Sequence, residues 1–160
     1  MFLRKIISGG QTGADRAALD WAINRGIPHG GWCPRGRKAE DGTIDRRYNL
    51  VETPSDDYSQ RTEWNVRDSD ATAVFSILRE LRGGSLLTVK LAEKYNKPVI
   101  HLCKEDEQAN HAQELRSFIE KYKISVLNVA GPRESDESGA YQFVSRILDQ
   151  ALGAAWRPDN

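Results

Sequence analysis

Two glycine-rich turns contain the residues of this sequence that are best suited to binding an anion. The first turn spans residues 8–15 (SGGQTGAD) and the second spans residues 82–88 (RGGSLLT), and each directly follows an apolar run of β-type residues. A strand, a glycine turn and a helix in that order leave free backbone N–H groups at the helix N-terminus, where a phosphate can bind. Glycine is required there because a Cβ would block the close approach of the backbone to a ligand. Two such turns in one small domain predict one phosphate-bearing ligand that is held from two sides.

Side chains of both turns are candidate ligand contacts. The hydroxyl groups of Thr12, Ser85 and Thr88 could bond a phosphate or cap the helices that follow. Asp15 lies in the first turn of a predicted helix, where the helix dipole favours a carboxylate, and its alternative role is to bond a ribose hydroxyl or a loop amide. The predicted binding residues of the two turns are Gly9, Gly10, Gln11, Thr12, Gly13, Asp15, Gly83, Gly84, Ser85 and Thr88.

A cationic loop is expected to close over the same ligand. Arg35, Arg37 and Lys38 lie within four residues of one another, interrupted by Gly36, directly after the second predicted strand. Such a segment could clamp an oxyanion, and it is equally typical of a solvated charged face. Arg61 begins the predicted helix before the third strand, so we expect its side chain on the ligand side as well.

The sequence predicts no metal site and no catalytic nucleophile. Cys33 and Cys103 show no paired ligand spacing, and the expected strand order would place them about 14 Å apart at a strand spacing of roughly 4.8 Å. His101 lies within a predicted strand and is expected in the core. No Ser/His/Asp or Cys/His arrangement is present to support covalent catalysis.

Composition predicts one soluble, cytoplasmic domain that spans residues 1–160. The chain has 23 basic and 23 acidic residues, so no global field favours nucleic acid or a membrane surface as a partner. No run of about 18 apolar residues could span a bilayer, and the start of the chain lacks the apolar region of a signal peptide. Two thiols suit a reducing compartment.

Alternating strands and helices are predicted to position these residues in an α/β fold. Strands are expected at 3–7, 29–33, 71–77, 98–102 and 125–129, with helices after each glycine turn and at 60–67, 108–123 and 138–152. This pattern predicts a three-layer, Rossmann-like, doubly wound parallel sheet of about five strands. The expected strand order is 2-1-3-4-5, which puts both glycine turns beside the point where the order reverses, and 3-2-1-4-5 is the alternative.

Four motifs in this order resemble the molybdenum carrier family, the YpsA-related branch of the SLOG superfamily of lysine-decarboxylase-like Rossmannoid domains. They are GGQTGAD at 9–15, PRGR with AEDG at 34–42, NVRDSDAT at 65–72, and GGS with a threonine at 83–88. The resemblance covers the chain from the first strand to about residue 129. It implies a Rossmann-like domain that binds a nucleotide or a phosphate-bearing relative such as molybdopterin, the organic part of the molybdenum cofactor. It also implies a homo-oligomer, either a dimer or a tetramer.

One departure from related enzymes bears on catalysis. Phosphoribohydrolases of this superfamily resemble a Gly-Gly-x-Gly-Thr-x-x-Glu pattern with a catalytic glutamate, and Thr88 stands at that glutamate position here. Threonine cannot act as a carboxylate base or stabilise an oxocarbenium-like cation by charge. The resemblance therefore implies a carrier that binds without turnover. Two alternatives stay open: an enzyme acting on a nucleotide-derived substrate, of the phosphoribohydrolase or ADP-ribose-processing type, and a nucleotide sensor domain.

Overall fold

A five-stranded parallel sheet lies between two layers of helices in the computed structural model, which describes residues 3–154. The elements in chain order are β1 (Lys5–Ile7), α1 (Ala14–Asn24), β2 (His29–Gly30), β3 (Trp32–Cys33), β4 (Lys38–Ala39), β5 (Gly42–Thr43), β6 (Val51–Glu52), α2 (Tyr58–Arg67), β7 (Ala71–Ser76), α3 (Gly83–Lys94), β8 (Val99–Cys103), α4 (His111–Lys121), β9 (Val126–Ala130) and α5 (Ala140–Leu152). The predicted fold class, a Rossmann-like three-layer α/β fold, is confirmed.

The strand order of the sheet differs from both predicted orders. The observed order is β2-β1-β9-β7-β8, with parallel pairing throughout. Both 2-1-3-4-5 and 3-2-1-4-5 are wrong, because the fifth predicted strand inserts between the first and the third. In register, Leu127 of β9 pairs with Ile6 of β1 on one side and with Ala71 of β7 on the other. The buried middle of β9 suits this central position, whereas the half-exposed β8 lies at the edge.

The second predicted strand is divided into β2 and β3 by Gly31. Gly31 has φ +126°, and a Cβ there would lie 2.3 Å from the carbonyl oxygen of Ser8. After this glycine the chain leaves the main sheet, and β3 pairs with β6 instead. The second strand of the main sheet is therefore only two residues long.

The two faces of the sheet carry different helices. Helices α1, α4 and α5 pack together on one face, and α2 and α3 pack together on the other. The larger core lies under the first group, where the alanine-rich stripe of α1 permits close packing and Phe75 of β7 meets Phe143 of α5 edge-on, with ring centroids 5.9 Å apart. None of the helices within residues 3–154 is long and apolar enough to cross a membrane.

The charged segment between β3 and α2 is ordered around one buried arginine. The Arg37 side chain is only 9% exposed. Its guanidinium donates to four backbone carbonyl oxygens, those of Ile44, Asp45, Tyr48 and Leu50, at 2.8–3.2 Å. A single side chain thus bonds four carbonyl groups of this loop, of which those of Asp45 and Tyr48 also accept a backbone N–H. This segment forms the β4–β5 hairpin and a second small core against α1.

Candidate functional site

A cavity of about 590 Å³ opens at the carboxyl ends of β1, β9 and β7. It lies where the strand order reverses, between β7 and β9, and open α/β sheets bind their ligands at such points. The loops after these three strands line it together with the first turns of α2 and α3. Its volume is within the range of about 300–1,000 Å³ that is typical of small-molecule sites.

The structure brings eight of the fourteen predicted binding residues to this cavity. Those eight are Gly9, Gln11, Asp15, Arg61, Gly83, Gly84, Ser85 and Thr88. The other six do not line it: Gly10, Thr12, Gly13, Arg35, Arg37 and Lys38. Both glycine turns therefore reach one cavity, although β9 lies between the strands that precede them.

The first glycine turn is partly closed on itself. Three of its backbone N–H groups already have acceptors. Gln11 N–H donates to Asp15 Oδ2 at 3.3 Å, and Thr12 N–H donates to the Gln11 side-chain oxygen at 3.0 Å. Ala14 N–H donates to the carbonyl oxygen of Pro132 at 3.2 Å. These donors are not available to a phosphate unless the turn rearranges.

The glycines of the first turn are also covered by neighbouring segments. A Cβ on Gly10 would lie 2.6 Å from Leu50 Cδ1, and a Cβ on Gly13 would lie 2.5 Å from the carbonyl oxygen of Pro132. Both residues have positive φ, +82° and +77°. The geometry thus gives Gly10 and Gly13 a packing role.

The hydroxyl of Thr12 joins the first turn to two other segments. Thr12 Oγ1 donates to Glu40 Oε1 of the β4–β5 hairpin and accepts from the backbone N–H of Glu134 at 3.2 Å. The Ser135 hydroxyl donates to the other oxygen of Glu40. These hydrogen bonds from Ser135 and Thr12 lower the pKa of Glu40. Thr12 therefore connects loops and faces away from the cavity lining.

The second glycine turn is open. Within residues 3–154, no acceptor pairs with the backbone N–H of Gly83 or Gly84, and α3 has no side-chain cap. A Cβ on either glycine would meet nothing within 4 Å. Ser85 is only 7% exposed, and its hydroxyl has no hydrogen-bond partner in the described part of the chain. Thr88 differs, since its hydroxyl donates to the carbonyl oxygen of Gly84 at 2.7 Å.

A carboxylate and a guanidinium meet over Gly9 at the β1 end of the cavity. A Cβ on Gly9 would lie 2.9 Å from both Asp15 Oδ2 and Arg61 Cδ. Arg61 donates to the carbonyl oxygen of Gly9 and to the Thr62 hydroxyl, both at 3.2 Å, and its guanidinium lies 5.0 Å from the centre of the Tyr58 ring. Burial raises the pKa of Asp15, while Arg61 opposes that rise; burial likewise lowers the pKa of Arg61.

The predicted cationic clamp is not assembled over the cavity. All of the bonds that Arg37 makes go to backbone carbonyl groups of its own loop, which does not support a ligand-binding role for it. Arg35 and Lys38 are exposed, and Lys38 Nζ lies 4.6 Å from the centre of the ring of Tyr58, a residue of the cavity wall. Ligand contact by Arg35 or Lys38 stays a prediction.

Sequence reasoning missed the wall contributed by β9 and the loop after it. Asn128 lies in this wall, and its side-chain amide donates to Thr72 Oγ1 at 3.1 Å. Glu137 accepts from the backbone N–H groups of Ile77 and Leu78 at 2.8 Å, and so caps the carboxyl end of β7. The sequence did contain one indication of this wall, an asparagine inside an otherwise apolar strand. It was missed because the predicted strand order put that strand at the edge of the sheet, away from the glycine turns.

His101 is not a core residue, contrary to the sequence-based expectation. It is exposed on the edge strand β8, and its Nε2 lies 2.6 Å from the Ser76 hydroxyl. Cys33 and Cys103 are both buried and free. Across residues 3–154 no group of three or more His, Cys, Asp or Glu side chains is arranged to hold a metal ion.

An open parallel sheet with helices on both faces and a cavity at the reversal of strand order defines a Rossmann-like domain. The chain belongs to the circularly permutated YpsA SLOG family, whose sequence model matches residues 6–152. The permutation accounts for the strand order: when the strands are numbered from β7 through β9 and on into β1 and β2, the sheet read from the β8 edge has the order 2-1-3-4-5. The predicted order is therefore that of the sheet with its strands renumbered from β7.

A solved structure supports the same family assignment. The chain is 47% identical to a crystal structure described as a "putative molybdenum carrier protein" from Syntrophus aciditrophicus SB, with a TM-score of 0.90. The match covers 94% of this chain and 95% of the other. Comparison with curated proteins gives no significant match.

Proposed function

We propose that this protein binds a small phosphate-bearing ligand, a nucleotide or molybdopterin, and carries it without turnover. The observation that supports this proposal is the open N-terminus of α3. Its Gly83 and Gly84 N–H groups have no acceptor among the described residues, and both glycines line a ligand-sized cavity. A helix N-terminus carries about half a positive charge, and phosphate groups bind there through such N–H groups.

Two side chains in the same cavity strengthen the assignment. Ser85 lies next to the open glycines, and its hydroxyl, which is accessible from the cavity, has no internal partner within residues 3–154. Arg61 adds a partly buried guanidinium that forms no ion pair within 4 Å among the described residues. A hydrogen bond from a charged donor to phosphate is roughly twice as strong as a neutral one.

The molybdenum cofactor fits this site through its phosphate. The open turn of α3 would hold that group, and the volume of the cavity leaves room for the ring system of molybdopterin. The structural relative is described as a molybdenum carrier, which favours this ligand over an ordinary nucleotide. The ring system would supply the dithiolene sulfur atoms that hold molybdenum.

The position of Thr88 supports carriage over catalysis. Its hydroxyl is committed to the carbonyl oxygen of Gly84, so it stabilises the first turns of α3. An enzyme acting on a nucleotide-derived substrate would instead need a carboxylate of the cavity wall, and Asp15 is the candidate there because it is buried and its pKa is raised. Hydrolysis is therefore the second candidate function.

Native mass spectrometry of the protein purified from its own host would identify the ligand and the number of subunits together. We expect a retained phosphate-bearing compound on a homo-oligomer. A panel of nucleoside monophosphates, ADP-ribose and molybdopterin then follows by calorimetry. Chromatography of the incubated panel tests the second candidate, since turnover on the order of 1 per second is ordinary for an enzyme.

Gly84→Val tests the phosphate position directly. A Cβ there meets no atom of the described residues within 4 Å, and a valine side chain occupies the space beside the open N–H groups. We expect ligand affinity to fall at least tenfold, which is about 1.4 kcal/mol. Gln113→Val on α4, exposed and outside this cavity, is the matched control and should bind like wild type. Equal affinity of Gly84→Val and the control would rule out phosphate binding at α3.

A further inference from the structure

We propose that Arg61 forms a second oxyanion subsite at the β1 end of the cavity, and that an anion bound there is accompanied by uptake of one proton by Asp15. This inference rests on the proposed function in one respect only, namely that both subsites would hold the same ligand. The class of group bound at Arg61 is a tetrahedral or planar oxyanion: phosphate, sulfate or carboxylate.

The geometry around Gly9 places a charged donor beside an acid. The absence of a Cβ lets the side chains of Asp15 and Arg61 approach the same backbone position, each within 2.9 Å of where that Cβ would be. Arg61 uses Nη1 and Nε for the carbonyl oxygen of Gly9 and the Thr62 hydroxyl, and its Nη2 has no hydrogen-bond partner between residues 3 and 154. A guanidinium has five N–H groups, so donors remain for an oxyanion.

The pair is close but does not form an ion pair. No carboxylate oxygen of the described residues lies within 4 Å of the Arg61 nitrogens. Asp15 Oδ2 accepts one hydrogen bond, from the backbone N–H of Gln11. The charges of both side chains are therefore only partly satisfied in a site where burial disfavours charge on each of them.

An arriving anion changes the balance at Asp15. Arg61 is the main group that opposes the effect of burial and keeps the pKa of Asp15 from rising further. An anion on that guanidinium offsets its attraction and adds repulsion, so the neutral carboxyl becomes the favoured form. The proton comes from solvent, and the neutral carboxyl can donate its O–H to the anion. Because the complex then holds more protons than the free protein, affinity rises as the pH falls.

The other ionisable groups near the pair either are bonded to other partners or, like the Cys33 thiol whose pKa is raised by burial, already hold their proton. Those that face the pair are Arg16, Cys33, Tyr58, Arg133, Asp136 and Glu137. Arg16 is bonded to Asp41 at 2.6 Å, and Arg133 to Asp136 at 2.9 Å. Among residues 3–154, no histidine lines the cavity. A proton taken up there is therefore assigned to Asp15.

The spacing of the strands gives the length of a ligand that would occupy both subsites. β1 and β7 are two strand intervals apart, with β9 between them, which is roughly 10 Å. A single phosphate cannot span this distance. A ligand that fills both subsites therefore has an oxyanion at each end, or a phosphate at α3 and a carboxylate at Arg61.

The test is the titration of the Asp15 carboxyl, followed by its ¹³C chemical shift, with and without sulfate. Sulfate is the probe because its charge stays constant over the titration. The experiment uses Gly84→Val as the background, since sulfate cannot then bind at the open turn of α3. We expect sulfate to raise the midpoint of Asp15 by about 0.5 pH units or more. The dissociation constant of sulfate should then increase with pH between the midpoints of the free and the bound protein, by about threefold in total for a shift of about 0.5.

Two variants decide the outcome. Asp15→Asn should bind sulfate with no pH dependence, and Arg61→Gln should lose the effect of sulfate on the Asp15 midpoint. An unchanged Asp15 midpoint in saturating sulfate, or no sulfate binding to Gly84→Val at any pH, overturns the proposal. These outcomes are independent of the phosphate position at α3, because the Gly84→Val background already lacks it.

Discussion

The two glycine turns resemble each other in sequence but differ in their surroundings in the folded chain. In the first turn, Gly10 and Gly13 have positive φ and neighbouring atoms fill the places where their Cβ atoms would be. In the second turn, Gly83 and Gly84 border open space. Glycine in the first turn lets other protein segments approach, whereas glycine in the second borders space that the described residues leave empty.

The strand order explains this difference. Because β9 lies beside β1, the loop after β9 passes directly over the first turn and supplies the carbonyl oxygen of Pro132 to the N-terminus of α1. The segment around Leu50 covers the same turn from the other side. A glycine-rich sequence therefore indicates that some group must come close to the backbone of the turn. The elements next to the turn in the fold determine whether that group belongs to the protein or to a ligand.

The largest expected effect is a loss of stability on substitution of Gly13 in the first turn, which combines close packing with backbone strain. Gly13→Ala forces a Cβ against three backbone atoms of the loop after β9, at 2.5–2.9 Å, in a residue with φ +77°. We expect a loss of about 3–5 kcal/mol in the free energy of unfolding, from strain and overpacking together. Urea denaturation measures it.

Gly36→Ala is the matched control for that variant. Gly36 has φ +83° but nothing within 4 Å of the position of its Cβ, so only the backbone term of about 1–2 kcal/mol should appear. Equal losses for the two variants would show that the first turn is not closely packed, and the contrast between the turns would then fail.

A second expected effect concerns the cationic loop. Arg37→Met keeps the length of the side chain but removes one donor from each of four carbonyl oxygens. We expect it to lower the free energy of unfolding by about 2–4 kcal/mol. Arg35→Met, two residues away and exposed, should stay within about 0.5 kcal/mol of wild type. If Arg37→Met instead keeps wild-type stability and loses ligand affinity, Arg37 binds the ligand as the sequence predicted and does not stabilise the loop.

The smallest expected effects form a reciprocal pair. Ser85→Ala should weaken ligand binding threefold to tenfold, about 0.5–1.5 kcal/mol for one hydrogen bond, and leave stability unchanged. Thr12→Val should lower the free energy of unfolding and leave ligand affinity unchanged, because the Thr12 hydroxyl donates to Glu40 and accepts from the backbone N–H of Glu134. Calorimetry and urea denaturation on both variants test the pair, and any result in which Thr12→Val is the weaker binder contradicts the contrast.

Local patterns in the sequence predicted most of the elements and both turns. The apolar run at 71–77 became β7, and the charged amphipathic segment at 108–123 contains α4. These predictions depended on short-range periodicity, which one stretch of chain carries by itself. The joint approach of both turns to one cavity was also expected, although the strand order used to derive it was wrong.

Long-range partners could not be predicted in the same way. An arginine among other cations looks like a surface residue, and only the folded loop shows that Arg37 faces four carbonyl groups. Likewise, the residues of strands β1 and β7 do not indicate which strand will pair with each of them in the sheet. The position of Asn128 at the cavity wall followed from that unknown order.

The central position of β9 has a consequence for how the polypeptide is made. During synthesis the residues of β1, β2, β7 and β8 leave the ribosome before residues 126–130. Until β9 follows, the strand that joins the β1–β2 pair to the β7–β8 pair is missing, and the edges of β1 and β7 that β9 will occupy lack their partner. Joining them is a non-local step that should make folding slow. The nascent chain therefore exposes two unpaired strand edges throughout this interval, and those edges are where a chaperone would hold it or another chain would pair with it wrongly.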